Sequence, residues 1–199
     1  MLKKRFYILL FFCLLLGGNV NSSTVDKGDN NAPFENKRTE TDYLPIADPF
    51  VMLYNNKYYA YGTGGTVNEG FACFSSDDLK NWKRERQALS ADDSYGKWGF
   101  WAPEVYYIQS KKKFYMFYSV EEHICVATSD SPVGPFRQES KQPIWEEKSI
   151  DTSLFIDDDG TPYLYFVRFT DGNVIWVAQM TDDLMKIKKE TLSECIKAE

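Results

Sequence analysis

One pattern recurs three times along this chain of 199 residues. Each copy is an apolar run, a polar turn and an aromatic-rich run, which is the signature of a β-hairpin. The copies span Asp48 to Gly62, Ala102 to Tyr118 and Asp151 to Phe166, and they start 54 and 49 residues apart. Each is followed by a third strand signal and a Ser/Thr-Asp turn. These lie at Phe71–Leu79 with Trp82 behind it, at Ile124–Asp130 with Gly134-Pro135-Phe136 behind it, and at Val174–Leu184. A fourth strand fits in each unit, and no sustained helical period interrupts the series. Four short strands per unit of about 50 residues is the arithmetic of a β-propeller blade. The kelch and WD signatures are missing, as is the sialidase Ser-x-Asp-x-Gly-x-Thr-Trp box. A β-sandwich with coincidental internal similarity is the competing architecture.

Composition agrees with strands and excludes several functions. The 14 Phe, 13 Tyr and 5 Trp are residues that fit pleated, half-buried surfaces, and they exclude wholesale disorder. A net charge of −6 argues against nucleic acid as the main partner, because phosphate binding needs a basic footprint. Four Cys without a C-x-x-C pair, and a single His, exclude the common zinc motifs.

The N-terminus reads as an address. Lys3, Lys4 and Arg5 precede eleven apolar residues, Phe6 to Leu16, too few for a span that needs roughly 20. Small and polar residues follow, so residues 1–22 are expected to be a signal peptide. The mature chain is then exported to periplasm, cell surface or medium. Lipidation at Cys13 ranks second, because Phe11 and Phe12 are bulky for a lipoprotein signal. Residues 23–42 read as a flexible arm and 43–199 as a partial propeller domain. No later stretch is apolar enough to cross a membrane. Cys73, Cys125 and Cys195 are read as buried small hydrophobes rather than disulfide partners.

Asp48 and Asp151 open equivalent strands inside otherwise uncharged neighbourhoods. A first blade strand lines the channel, so carboxylates at its start converge on one pocket. Turn capping explains a single such Asp; two at matching positions point to use.

These residues resemble glycoside hydrolase family 43, five-bladed propellers that act on arabinan, arabinoxylan and xylosides. The resemblance rests on Ala47-Asp48-Pro49 with Tyr58-Tyr59, Ser76-Asp77-Asp78-Leu79 with Trp82, Trp101-Ala102-Pro103-Glu104-Val105, and Ile150-Asp151-Thr152-Ser153 with Asp159-Gly160. It implies an all-β fold of the five-bladed type with about three four-stranded blades present, and an inverting hydrolase of arabinose- or xylose-containing polysaccharides. It makes Asp48 the general base. Asp151 becomes the carboxylate that orients the acid and raises its pKa. Trp101 becomes part of the sugar pocket, or equally a core tryptophan. The family's acid is a Glu opening a fourth blade, so no residue here takes that role. Glu69 reads as a loop residue, Glu104 sits where the family has no acid, and Glu194 and Glu199 lack an inner-strand context.

The expected partner is a carbohydrate; no cofactor and no metal are expected. His123 reads as a solvated turn histidine, and Asp157-Asp158-Asp159-Gly160 as turn chemistry rather than a calcium loop. Arg168 reads either as a residue reaching a substrate hydroxyl or as a surface residue. The alternatives to a hydrolase are a non-catalytic glycan-binding partial propeller and a non-functional truncated product. Without its acid, the chain alone is expected to turn over natural substrate slowly or not at all.

Overall fold

The computed structural model describes residues 44–64 and 68–197. The expectations for the signal peptide, Cys13, the arm at 23–42 and Glu199 lie outside the described residues.

Eleven strands form three antiparallel sheets among the described residues. The first joins β1 (Ile46–Tyr54), β2 (Lys57–Gly64), β3 (Gly70–Ser76) and β4 (Lys83–Ser90) in chain order. The second joins β5 (Trp101–Ile108), β6 (Lys113–Val120) and β7 (His123–Ser129). The third joins β8 (Ser149–Ile156), β9 (Pro162–Arg168), β10 (Val174–Gln179) and β11 (Ser193–Ile196). First strands neighbour one another, β1 against β5 and β5 against β8, as propeller blades require.

The turns follow from their residues. Asn55-Asn56 and Glu121-Glu122 close two-residue hairpins with positive φ at both positions, 50° and 58°, then 50° and 57°. That is the turn whose twist matches paired strands. The Ser/Thr-Asp turns also repeat in detail. Asp78 Oδ1 accepts from Lys80 N at 2.9 Å, and Asp183 Oδ1 accepts from Met185 N at 3.0 Å. The leucines after the aspartates, Leu79 and Leu184, take φ of 63° and 64°.

The middle blade explains the unbroken apolar run at 114–118. Along β6, Phe114, Met116 and Tyr118 pack toward the first blade, with Tyr61, Phe71, Leu89 and Phe100. Tyr115 and Phe117 pack toward the third, with Trp145, Leu164, Phe166 and Met180. A strand covered on both faces has no polar side to alternate with.

Three expectations need correction. The second blade has no fourth strand among the described residues. Only isolated bridges, Thr128↔Arg137 and Leu89↔Phe136, stand in its place, because Pro132, Pro135 and Pro143 break up that stretch and cannot donate to a ladder. Cys195 is exposed on β11, whereas Cys73 and Cys125 are buried and free; burial pushes both of those thiols up to about 12. His123 opens β7, half-buried rather than solvated, with Nδ1 2.8 Å from Glu121 O and its ring edge-on to Tyr95.

Candidate active site

All three first strands begin with the same backbone irregularity. Register shifts fall between Ala47 and Phe50, between Trp101 and Glu104, and between Ile150 and Ser153. Inside each sits one non-glycine residue at positive φ: Asp48 at 47°, Ala102 at 44° and Asp151 at 55°. A bulge of this kind re-aims a side chain out of the ladder. Asp tolerates the left-handed region better than most residues; Ala has no such excuse. In blade one the bulge also demands Gly62, since a Cβ there would lie 2.5 Å from Ala47 O.

The bulged N–H groups have lost their ladder partners, and even a part-buried N–H seeks another. The preceding blade supplies it. Thr63 Oγ1 accepts from Ala102 N at 2.9 Å, and Ser119 Oγ accepts from Asp151 N at 3.0 Å. The two hydroxyls are equivalent: Thr63 pairs with Ala47, and Ser119 with Trp101, each the residue before the bulged one. The Thr63 hydroxyl then donates its proton to Asp48 Oδ2 at 2.7 Å. One hydroxyl thus orients the first carboxylate and fixes the entry of the second blade.

The electrostatics follow the same layout. Burial raises the Asp151 carboxyl above its ordinary value, and the Asp48 charge raises it further. Glu104 is half-buried two residues past the bulge of blade two. Burial raises it; hydrogen bonds from Tyr106 and Ser153 pull it back, and the Asp151 charge raises it again. The Tyr106 hydroxyl accepts from Leu154 N at 3.2 Å and donates to Glu104 Oε2. Glu104 and Tyr106 therefore brace β5 against β8 beneath Asp151. Sequence reasoning set Glu104 aside. The signal available was its spacing, two residues past the position that matches Asp48 and Asp151.

Trp101 is half-buried beside these groups, and its indole lies against Gly99. Below them, β1, β5 and β8 line an open apolar groove of about 600 Å³ that includes Met52, Tyr54, Val105, Leu154 and Ile156. Arg168 is held by contacts within its own blade and the segment before it. Its guanidinium stacks over Trp176 at 4.4 Å and Trp145 at 5.5 Å, and Nη2 donates to Glu147 Oε2 at 2.6 Å. Glu69 is exposed before β3, as a loop residue should be, and Glu194 is exposed on β11. Asp157–Gly160 is a turn, with Gly160 at φ 87° donating to Asp157 O at 2.9 Å.

Sheets that succeed one another through neighbouring first strands, with aspartates on two of three matching bulges, define successive blades of a β-propeller. The chain belongs to the Glycosyl hydrolases family 43, whose profile matches residues 44–199. The three sheets are blades of that five-bladed type. A solved structure described as an endo-1,4-beta-xylanase from Bacteroides thetaiotaomicron is 86% identical, with a TM-score of 0.78. That match covers 80% of this chain and 55% of the other. An endo-arabinase structure from the same organism is 27% identical, with a TM-score of 0.71, over 80% of this chain and 58% of the other. The "Probable arabinan endo-1,5-alpha-L-arabinosidase B" of Aspergillus fumigatus is 27% identical over 78% of this chain and 46% of its own length. The chain spans about half the length of the curated relatives it matches.

Proposed function

We propose that this chain carries the base side of an inverting glycoside hydrolase acting on pentose-containing plant polysaccharide. Asp48 is the general base that takes a proton from the attacking water. Asp151 orients the catalytic acid and keeps it protonated by like-charge repulsion. Trp101 gives a flat face to the sugar beside them. The observation that carries this reading is the matched placement of Asp48 and Asp151, on equivalent bulges and within electrostatic reach of each other. Glu104 does not serve as the acid. The Tyr106 hydroxyl, already accepting from Leu154 N, directs its own proton onto Glu104, so Glu104 acts as an acceptor and a brace. The acid lies among none of the described carboxylates. β-1,4-Xylan is the first substrate to test, because the 86% identical structure bears that name.

A substrate whose leaving group needs no proton isolates the base. The chain should release fluoride from a pentosyl fluoride with inversion, detected by NMR, far faster than it cleaves xylan. Asp48→Asn should lower that release by about 10²–10⁴-fold, the usual worth of a positioned general base. Equal release by the wild type and the Asp48→Asn variant would sink the assignment. Export is part of the same reading, supported by the basic and apolar residues of the first 22. A secreted product should begin near Ser23, and an intact Met1 in the cytoplasm would overturn it.

A further inference from the structure

The segment leading into β5 presents two indoles in opposite ways. Phe100 is fully buried, edge-on to Phe71 at 5.7 Å and stacked with Tyr118 at 6.3 Å, and so anchors the segment in the core. Gly99 takes φ 66°, and a Cβ on it would come within 2.9 Å of the Trp101 indole. Only glycine lets that ring lie against the backbone. Trp98 turns outward, with 51% of its surface exposed, and meets Trp101 edge-on with ring centroids 6.3 Å apart.

The backbone that holds Trp98 out is pinned on both sides. Glu121 N donates to Trp98 O at 3.2 Å, and Glu121 Oε1 accepts from Lys97 N at 2.7 Å. Gly99 N donates to Asn68 Oδ1 at 3.3 Å. The clamps come from blades one and two. A large apolar ring is therefore fixed in water by a preorganised loop, which limits the entropy a ligand must remove on binding. It lies one ring outward from Trp101, whose neighbour Ala102 shares the Thr63 hydroxyl with Asp48.

The size of the surface decides what it fits. One indole flanked by exposed Lys97 falls far short of the roughly 800 Å² per partner that a stable protein interface buries. It matches the apolar C–H face of one sugar ring, which an aromatic face covers well. We propose that Trp98 forms a second sugar-stacking subsite beside that of Trp101, so that the site holds two consecutive residues of a glycan chain. This rests on the glycan-acting reading above and adds to it a preference for oligosaccharide over monosaccharide.

The test is calorimetric binding of xylose, xylobiose and xylotriose to the full chain. The wild type should bind the trimer more tightly than the monomer. Trp98→Ala should weaken the trimer roughly tenfold, the order expected for one lost stacked ring, and leave the monomer unchanged. Trp98→Phe should restore most of the loss. A Trp98→Ala variant that loses affinity equally at every length, or at none, overturns the subsite. Trp101→Ala separates the two claims. If it abolishes binding while Trp98→Ala leaves the length dependence intact, the subsite alone fails. If the wild type binds none of the three sugars, the glycan-acting reading fails with it.

Discussion

At the junction of blades one and two, a threonine hydroxyl holds the bulged N–H of Ala102 and spends its own proton on Asp48. At the junction of blades two and three, a fully buried serine hydroxyl holds the bulged N–H of Asp151. The backbone device is the same, down to register and the sign of φ, while the side chains it presents differ. The bulge is therefore architecture, kept in blade two where no carboxylate exploits it. The aspartates are the side chains placed on top, and they carry the chemistry proposed above. The latches differ in one further respect: Ser119 has no surface exposed, whereas Thr63 is half-buried and water can reach its surroundings.

That difference sets the order of effects when the latches are broken. Ser119→Ala removes a hydroxyl with no exposed surface and leaves the part-buried Asp151 N–H without its acceptor, at a cost of about 1–3 kcal/mol. Thermal unfolding should show a melting temperature lower by several degrees, at about 2–4 °C per kcal/mol for a chain of this size. An unchanged melt would mean that the second latch holds nothing. Thr63→Val should cost less, about 1 kcal/mol, because water can replace the lost acceptor. Its signature is in function instead. Fluoride release should fall as Asp48 loses its orienting donor, and Thr63→Ser should recover it. If Thr63→Val and Ser119→Ala change stability alike and leave fluoride release untouched, the contrast between the junctions collapses.

Ala102 tests the claim that the bulge is architecture. A left-handed φ costs an alanine about 1–2 kcal/mol, and glycine removes that strain while adding about 0.4–1 kcal/mol of unfolded-state entropy. Ala102→Gly should therefore stabilise the chain by about 0.5 kcal/mol in denaturant unfolding, with fluoride release unchanged. Asp151→Gly relieves the same backbone but removes the carboxylate. Comparable stability changes with divergent activity would separate the two roles; activity lost in both would merge them.

Much of this is legible in the sequence, for physical reasons that also mark where reading stops. The three hairpins announce themselves because aromatic runs on either side of Asn55-Asn56 or Asp157–Gly160 have few other ways to fold. Asp48 and Asp151 stand out because a charge at the head of an apolar strand needs a reason. Ala102 carries no such flag, since nothing in an alanine side chain signals left-handed backbone. The Glu104–Tyr106 brace depends on a hydroxyl crossing to Leu154, a contact between blades 48 residues apart in the chain. The shortfall in blade two is hidden because Phe136 mimics a strand residue between prolines that prevent one. Cys195 has apolar Ile196 beside it, yet its strand lies at the edge of its sheet, where neighbours in sequence do not ensure cover.

The smallest effect comes from the charge at Asp151 itself. Its folded pKa lies above the ordinary carboxylate value, through burial first and the Asp48 charge second. The folded state therefore holds the proton more tightly than the unfolded chain does. The stability this contributes is fully present below the unfolded pKa and is lost as pH rises through the folded one. At neutral pH the ionised group is a liability that Asp151→Asn removes. The variant and the wild type should melt together near pH 3, and the variant should melt higher by neutral pH. Because Asp151 is partly open to solvent, the gap should be only about 1 °C. In a background carrying Asp48→Asn the gap should shrink, since one of its two sources is gone, and the burial contribution should remain. A gap that persists in full would mean that the two blade-start carboxylates do not sense each other, and that the matching of blades one and three stops at the backbone.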